Sequence, residues 1–250
     1  MHPGVWVFLF ITTVCLRATA QDGPIEPDRP DQSESAALVP PRHVQVETGF
    51  SFEKGKDFKL ITHPALLLRY GASRYFELRL ALEAQSLYAT GSHASWLSGF
   101  VPLEIGVKIN LATGQKAKPS ASLISHLIIP QAASEGFHSP YVGCILRLAM
   151  QHACTEWFTL SYNVGAAWEG ESAEPIFLYT LTAGFALTES FGAFAETYGF
   201  FPQKASASHL LDGGFTFQLK PFLMLDISGG WNITNRSYYA GTGFSIRLPN

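Results

Sequence analysis

From residue 43 to residue 248 this chain alternates apolar and polar side chains with a period of two, and nothing else in it restricts the fold as severely. Val44, Val46, Thr48, Phe50 and Phe52 fall on one side of the first such stretch. Gln45, Glu47, Gly49 and Ser51 fall on the other. Successive side chains of a strand point to opposite faces, so this stretch is a strand with unlike faces. The pattern recurs twelve times in all, near 43–54, 58–70, 74–87, 99–112, 119–130, 140–152, 156–168, 175–187, 191–201, 208–219, 222–233 and 238–248. Each segment reaches the ~9–11 residues a tilted strand needs to cross a bilayer. Strands of globular proteins are mostly about 5–6 residues long. The expected fold is all-β: a transmembrane, antiparallel, up-and-down β-barrel of about twelve strands.

The connections point the same way. Taken alternately, one set is short (Gly71–Ser73, Thr113–Lys118, Ala153–Thr155, Thr188–Ser190 and Lys220–Pro221). Most of the other set is longer: Tyr88–Ser98, Gln131–Ser139, Glu169–Glu174 and Pro202–Ala207. Outer-membrane barrels have short periplasmic turns and longer outer loops. In 156–168 the even positions carry Phe158, Leu160, Tyr162, Val164, Ala166 and Trp168, the odd ones mainly Thr159, Ser161, Asn163, Gly165 and Ala167. At a rise of ~3.4 Å per residue and a tilt of ~40°, Phe158 and Trp168 lie ~26 Å apart vertically, matching the apolar band between aromatic girdles. Phe215, Phe217 and Ile246 belong to the same lipid-facing set.

Composition fits such a chain. Hydrophobic residues make up 47% and mean hydropathy is +0.11, although no segment after the N-terminus has 18 uninterrupted apolar residues. The apolar surface must therefore be spread over many short strands. Residues 1–20 read as a signal peptide: Val5–Val14 is an apolar core too short to span, and Ala18-Thr19-Ala20 is a small-x-small cleavage site. Residues 21–42, rich in Pro, Asp, Glu and Ser, form an irregular leader, and 43–250 the barrel. Cys144 and Cys154 on one strand would stand ~34 Å apart, so they are expected as free thiols. The expected location is the outer membrane of a Gram-negative cell. The partners are outer-membrane lipid, the barrel-assembly machinery and an unidentified small-molecule cargo. The chain is expected to be monomeric, and a net charge of −3 gives no basis for nucleic-acid binding.

Asp28-Arg29-Pro30-Asp31-Gln32, Glu34-Ser35, Gln45-Val46-Glu47 and Arg69-Tyr70-Gly71 carry a family resemblance. In these positions the chain resembles the outer-membrane proteins grouped as meta-pathway phenol-degradation (MetA) proteins, often called transporters. The resemblance implies a barrel of about this size and passage of small, often apolar or aromatic, compounds. It implies no catalytic residues.

The less apolar face collects charge of both signs: Glu47, Arg69, Glu77, Arg79, Glu83, Glu104, Lys108, Arg147, Glu196, Asp212, Asp226 and Arg247, with His126 among them. An Arg or Lys facing hydrocarbon at mid-bilayer costs about 2–4 kcal/mol, so these residues should line the lumen. They could form a polar route or salt-bridged ladders that fill a narrow barrel. Asp28, Arg29, Asp31 and Glu34 could fold back as a plug, Asp28 or Asp31 pairing with lumen Arg or Lys. Alternatively, the leader is a free periplasmic tail. No catalytic motif, metal-ligand spacing or cofactor fingerprint appears. Ser125 and His126 are adjacent and so face opposite ways, against a paired hydrolase site. The expected function is a channel or transporter for small molecules, not an enzyme. The alternatives are an outer-membrane lipid hydrolase and a structural or adhesion barrel without cargo.

Overall fold

The computed structural model describes residues 23–90, 94–114 and 118–248. The signal-peptide reading of residues 1–20 lies outside them. Among the described residues thirteen strands occur in chain order: β1 Val44–Lys54, β2 Phe58–Ser73, β3 Phe76–Ala89, β4 Ser95–Phe100, β5 Leu103–Ala112, β6 Ser120–Ile129 and β7 Gly143–Ala153. Then come β8 Phe158–Trp168, β9 Ile176–Ala186, β10 Phe191–Pro202, β11 Ser208–Lys220, β12 Leu223–Asn232 and β13 Tyr238–Leu248. Successive strands pair antiparallel except β4 with β5, and β1 closes the circle on β13, Val44 opposite Leu248 and Lys54 opposite Tyr238. β4 and β5 both pair with β3, one beyond the other, and together fill a single place in the wall. The architecture is a closed barrel of twelve strands.

Burial in this barrel is the reverse of a soluble protein's. Arg69, Lys108, Glu47 and Glu77 are each at most 1% exposed, whereas Phe50, Ile105, Leu127, Phe177, Leu211, Phe215 and Ile227 are exposed. A chain folding in water would hide the second group and show the first. In hydrocarbon the preference inverts, and closure leaves no strand edge whose backbone groups would lack partners. Among the described residues no helix is long and apolar enough to cross a membrane.

Two departures from the sequence expectation have physical causes. The fourth strand, expected as continuous over 99–112, begins earlier and breaks at Val101-Pro102. Pro102 has no N–H for the ladder. The Val101 N–H still reaches Glu83 O, while the outer piece, β4, is met by Ser134, whose N–H donates to Phe100 O at 2.8 Å. The turn expected at Gly71–Ser73 falls instead at Arg74-Tyr75, because β2 runs on to Ser73. Gly71 is a strand residue at a close approach: a Cβ there would lie 2.1 Å from Pro40 O. Its N–H donates to His43 O and its carbonyl accepts from Arg42 N–H, which seats the end of the leader at the barrel rim. Cys144 and Cys154 are free.

Alternation makes a direct prediction for β11, where Phe215 and Phe217 are exposed and Thr216 lines an interior cavity. Single nitroxides at 215, 216 and 217, with Cys144 and Cys154 replaced, should report oxygen access at 215 and 217 and aqueous-reagent access at 216. Uniform access along the three would show the register to be wrong.

Candidate functional site: a leader docked in a charged lumen

The leader runs inside the barrel, and its polar groups meet inward-facing side chains from nearly every strand. Asp28 is the hub. Its carboxylate stands 2.7 Å from Arg79, 2.9 Å from Lys108 and 3.2 Å from Arg69. It also accepts from the Ser35 N–H and hydroxyl at 2.9 and 2.8 Å, which folds the leader into a loop around it. The wall supplies further acceptors for the same cations: Arg69 donates to Glu47 and Glu77, both at 2.8 Å. Arg79 reaches Glu34 of the leader at 2.6 Å.

Backbone groups of the leader are satisfied by wall side chains, as an irregular segment without a ladder requires. The Asp28 and Arg29 N–H groups donate to Glu47 at 2.8 and 3.1 Å. The Gln32 N–H and the Ser33 hydroxyl donate to Glu196, at 2.7 and 2.6 Å. The Glu34 N–H and carbonyl are both read by the Asn163 side chain, and the Val39 N–H donates to Glu77. Arg147 donates to Gln32 O, Arg247 to Gly23 O and Ser122 to Ala36 O.

The remaining charged positions take other partners. Arg29 pairs with Asp226 at 2.9 Å. Arg79 Nε can only donate, so His126 Nε2 accepts it at 3.0 Å. The His126 Nδ1 proton then goes to Glu104 at 2.6 Å. Glu83 accepts from Gln85 and Thr62, and Asp212 accepts from the Tyr239 hydroxyl. Asp31, expected with Arg or Lys, makes no such pair among the described residues. It lies toward the carboxylates of Glu196 and Asp212. Asn163, Ser33, Thr182, Ser122 and Gln45 also build the dock without having been singled out. All are neutral polar residues, and those in the strands sit at inward positions of the alternation, which is the signal that marks them.

The leader's own acids respond in opposite ways. Burial works against ionisation of Asp28, but Arg69, Lys108 and Arg79 outweigh it and hold its carboxyl well below the usual range. Burial, together with Glu196 and Asp212, lifts the Asp31 carboxyl well above that range.

Two cavities flank the leader. One of about 350 Å³ lies toward the short connections that hold Glu156 and Glu189, against β7–β11, lined by Glu26, Arg29, Asp31, Trp157, Thr182, Phe185 and Phe191 among others. The second, of about 210 Å³, lies beside the Val101-Pro102 break and is lined by Leu66, Leu67, Ala81, Leu82, Glu83, Glu104, His126 and Arg29. Ser125, next to His126, faces away from the lumen and cannot join it. Among the described residues no group of His, Cys, Asp and Glu is placed to hold a metal.

The family described as "Putative MetA-pathway of phenol degradation" matches residues 27–248, a span that begins within the leader. Among solved structures the chain is similar to the COG4313 outer membrane channel from Pseudomonas putida F1. The TM-score is 0.68 at 11% identity, over 88% of this chain and 99% of that one. It is also similar to the KdgM porin in complex with disordered oligogalacturonate (0.56, 8%, 81% and 98%) and to the NanC porin (0.54, 10%, 80% and 98%). At these identities the likeness is one of fold. No curated relative matches the sequence.

Removing Asp28 would take from buried Lys108 its near carboxylate, the next one, Glu34, standing at 3.9 Å, a loss of about 3–5 kcal/mol when one partner of a buried pair goes. Asp28→Asn should therefore release the leader, seen as a mobile nitroxide at position 35. Adding Lys108→Met should restore part of the docking. Acidification has a defined sign. The Asp28 contribution is complete above the ordinary Asp value of about 3.9 and is lost only as pH falls through its lower docked value. Asp31, with its raised value, favours docking more as pH drops. The label should thus stay immobile from pH 7 to about 4, and release near pH 6 would contradict the assignment.

Proposed function

Because the chain belongs to the MetA-pathway phenol-degradation family, we propose that it is an outer-membrane channel for small molecules, apolar and aromatic ones included. The observation that carries this reading is the pair of cavities on either side of the docked leader. The smaller sets Leu66, Leu67, Ala81, Leu82, Val101 and Pro102 beside Arg29, Glu34, Glu47, Arg79, Glu83, Glu104 and His126, so a guest with an apolar body and a polar group meets a partner for each. At about 25 cal/mol per Å² of apolar surface buried, the apolar part of this wall gives an aromatic ring a contact that a sugar of the same size does not use. The fold shared with solved outer-membrane channels and porins supports the location and the general activity. In the outer membrane the protein would be a monomer bounded by lipid, inserted by the barrel-assembly machinery after removal of residues 1–20.

A second reading has a specific observation behind it. The leader and its ion pairs occupy much of the lumen, as in a barrel whose role is structural. A hydrolase reading lacks such support, since Ser125 and His126 face opposite ways and His126 is engaged by Arg79 and Glu104.

Liposome swelling with a panel of sugars, amino acids and aromatic acids separates the two. A channel should pass the aromatic members faster than sugars of equal mass. A structural barrel should pass none. Deleting residues 22–40 should leave a folded, heat-modifiable barrel and raise its single-channel conductance in planar bilayers severalfold. An unchanged current from the folded deletion variant would remove the leader from the conduction path.

A further inference from the structure

Of the side chains lining the two cavities, Arg29 alone borders both. This places Arg29 at the partition between the two cavities. Its situation differs from that of the other leader charges. Asp28 is clamped by three cations that are each no more than 3% exposed, and Glu34 is held by Arg79. The Arg29 guanidinium bonds a single carboxylate among the described residues, Asp226, and the side chain remains 23% exposed.

The wall is shaped to receive that group. Gly49 of β1 and Gly243 of β13 face each other across the strand pair. The three atoms nearest a Cβ built on Gly49 all belong to the Arg29 guanidinium, at 2.3, 2.4 and 2.6 Å, and one on Gly243 would lie 2.4 Å from Thr48 O and 2.5 Å from the same guanidinium. Two glycines opposite one another thus make a slot, and Asp226 on neighbouring β12 holds the side chain in it. The backbone of Arg29 is fixed separately, through its N–H to Glu47 at 3.1 Å. Such a side chain can leave its slot by rotation about its own bonds while the leader stays docked.

We propose that Arg29 is the gate and charge filter of the channel: passage runs through its swing out of the Gly49–Gly243 slot, and the leader need not leave the barrel. This rests on the channel reading above. It also assigns selectivity to a single residue, because Arg29 is the charge that borders both cavities, with Arg79, Glu34 and Glu47 in the lining of the smaller one.

The test is conductance of the full chain in planar bilayers under a potassium chloride gradient. The leader is tied to the wall by a disulfide between Ser33→Cys and Thr180→Cys, whose hydroxyls lie 2.5 Å apart. Cys144 and Cys154 are replaced by Ala. In this tied form Arg29→Ala should raise conductance at least twofold and move the reversal potential toward that of potassium. Arg29→Lys should keep the selectivity of the parent. Gly49→Ala is the independent arm. The atoms nearest its new methyl group are the end of a flexible side chain, so the barrel should fold while Arg29 is expelled, again raising conductance. If tied variants conduct like the tied parent and current rises only when the leader is cut free or deleted, the gate is wrong and the channel stands. If neither parent nor deletion variant passes current or swells liposomes, the channel reading fails and takes the gate with it.

Discussion

Asp28 sits where three buried cations of the wall converge, and the interior is arranged around the need to keep that carboxylate in place. Arg69, Arg79 and Lys108 come from β2, β3 and β5, and the wall offers them Glu47 and Glu77 as near partners. The leader adds Asp28 and Glu34, which brings the cluster to four acids against three bases. Charges this deeply buried stabilise little in net terms, because their desolvation offsets most of their attraction. Losing any one of them is costly. Such an arrangement specifies position more than it adds stability. A leader with no regular secondary structure, its Ile25, Ala36 and Val39 buried beside these charges, is thereby given one address.

Everything else follows from the requirement that these groups be inside. A strand can bury a charge on one face and a phenylalanine on the other only if the two faces meet different media. The period-two pattern satisfies that condition strand after strand. Closure through β1 and β13 then turns twelve such strands into a wall with a polar interior and an apolar exterior. The lumen left by a twelve-stranded wall is narrow enough for one extended segment to touch opposite sides at once. Glu34, for example, engages Arg79 of β3 and Asn163 of β8. A wider barrel could not be spanned by side chains in this way.

The fold was legible because its signal repeats: alternation, strand length and the unequal connections are each read many times over. The inward set was legible for the same reason, since Glu77, Arg79 and Lys108 could not face lipid. What escaped was whatever depends on a single long-range contact. Gly71 has the appearance of a turn residue, and only the carbonyl of Pro40 against it explains why it is a strand residue. Pro102 did carry a readable warning, a proline inside an apparent strand. The pairing of Asp28 but not Asp31 was undecidable locally, because both are acids in one short motif. Which of them reaches the cations depends on where the backbone enters the barrel. Gly49 and Gly243 gave no sign of sharing one guanidinium, being nearly 200 positions apart in sequence.

The central claim is that the leader is a built part of the interior, held by wall side chains as firmly as the strands hold each other. Hydrogen exchange of the intact protein in lipid measures this directly. The Asp28, Gln32, Glu34 and Val39 amides donate to Glu47, Glu196, Asn163 and Glu77, all on the wall. They should exchange as slowly as strand amides of β1 and β3, and together, as one cooperative unit. Exchange of these four amides at the rate of a free peptide, in a barrel whose strands remain protected, would contradict the account.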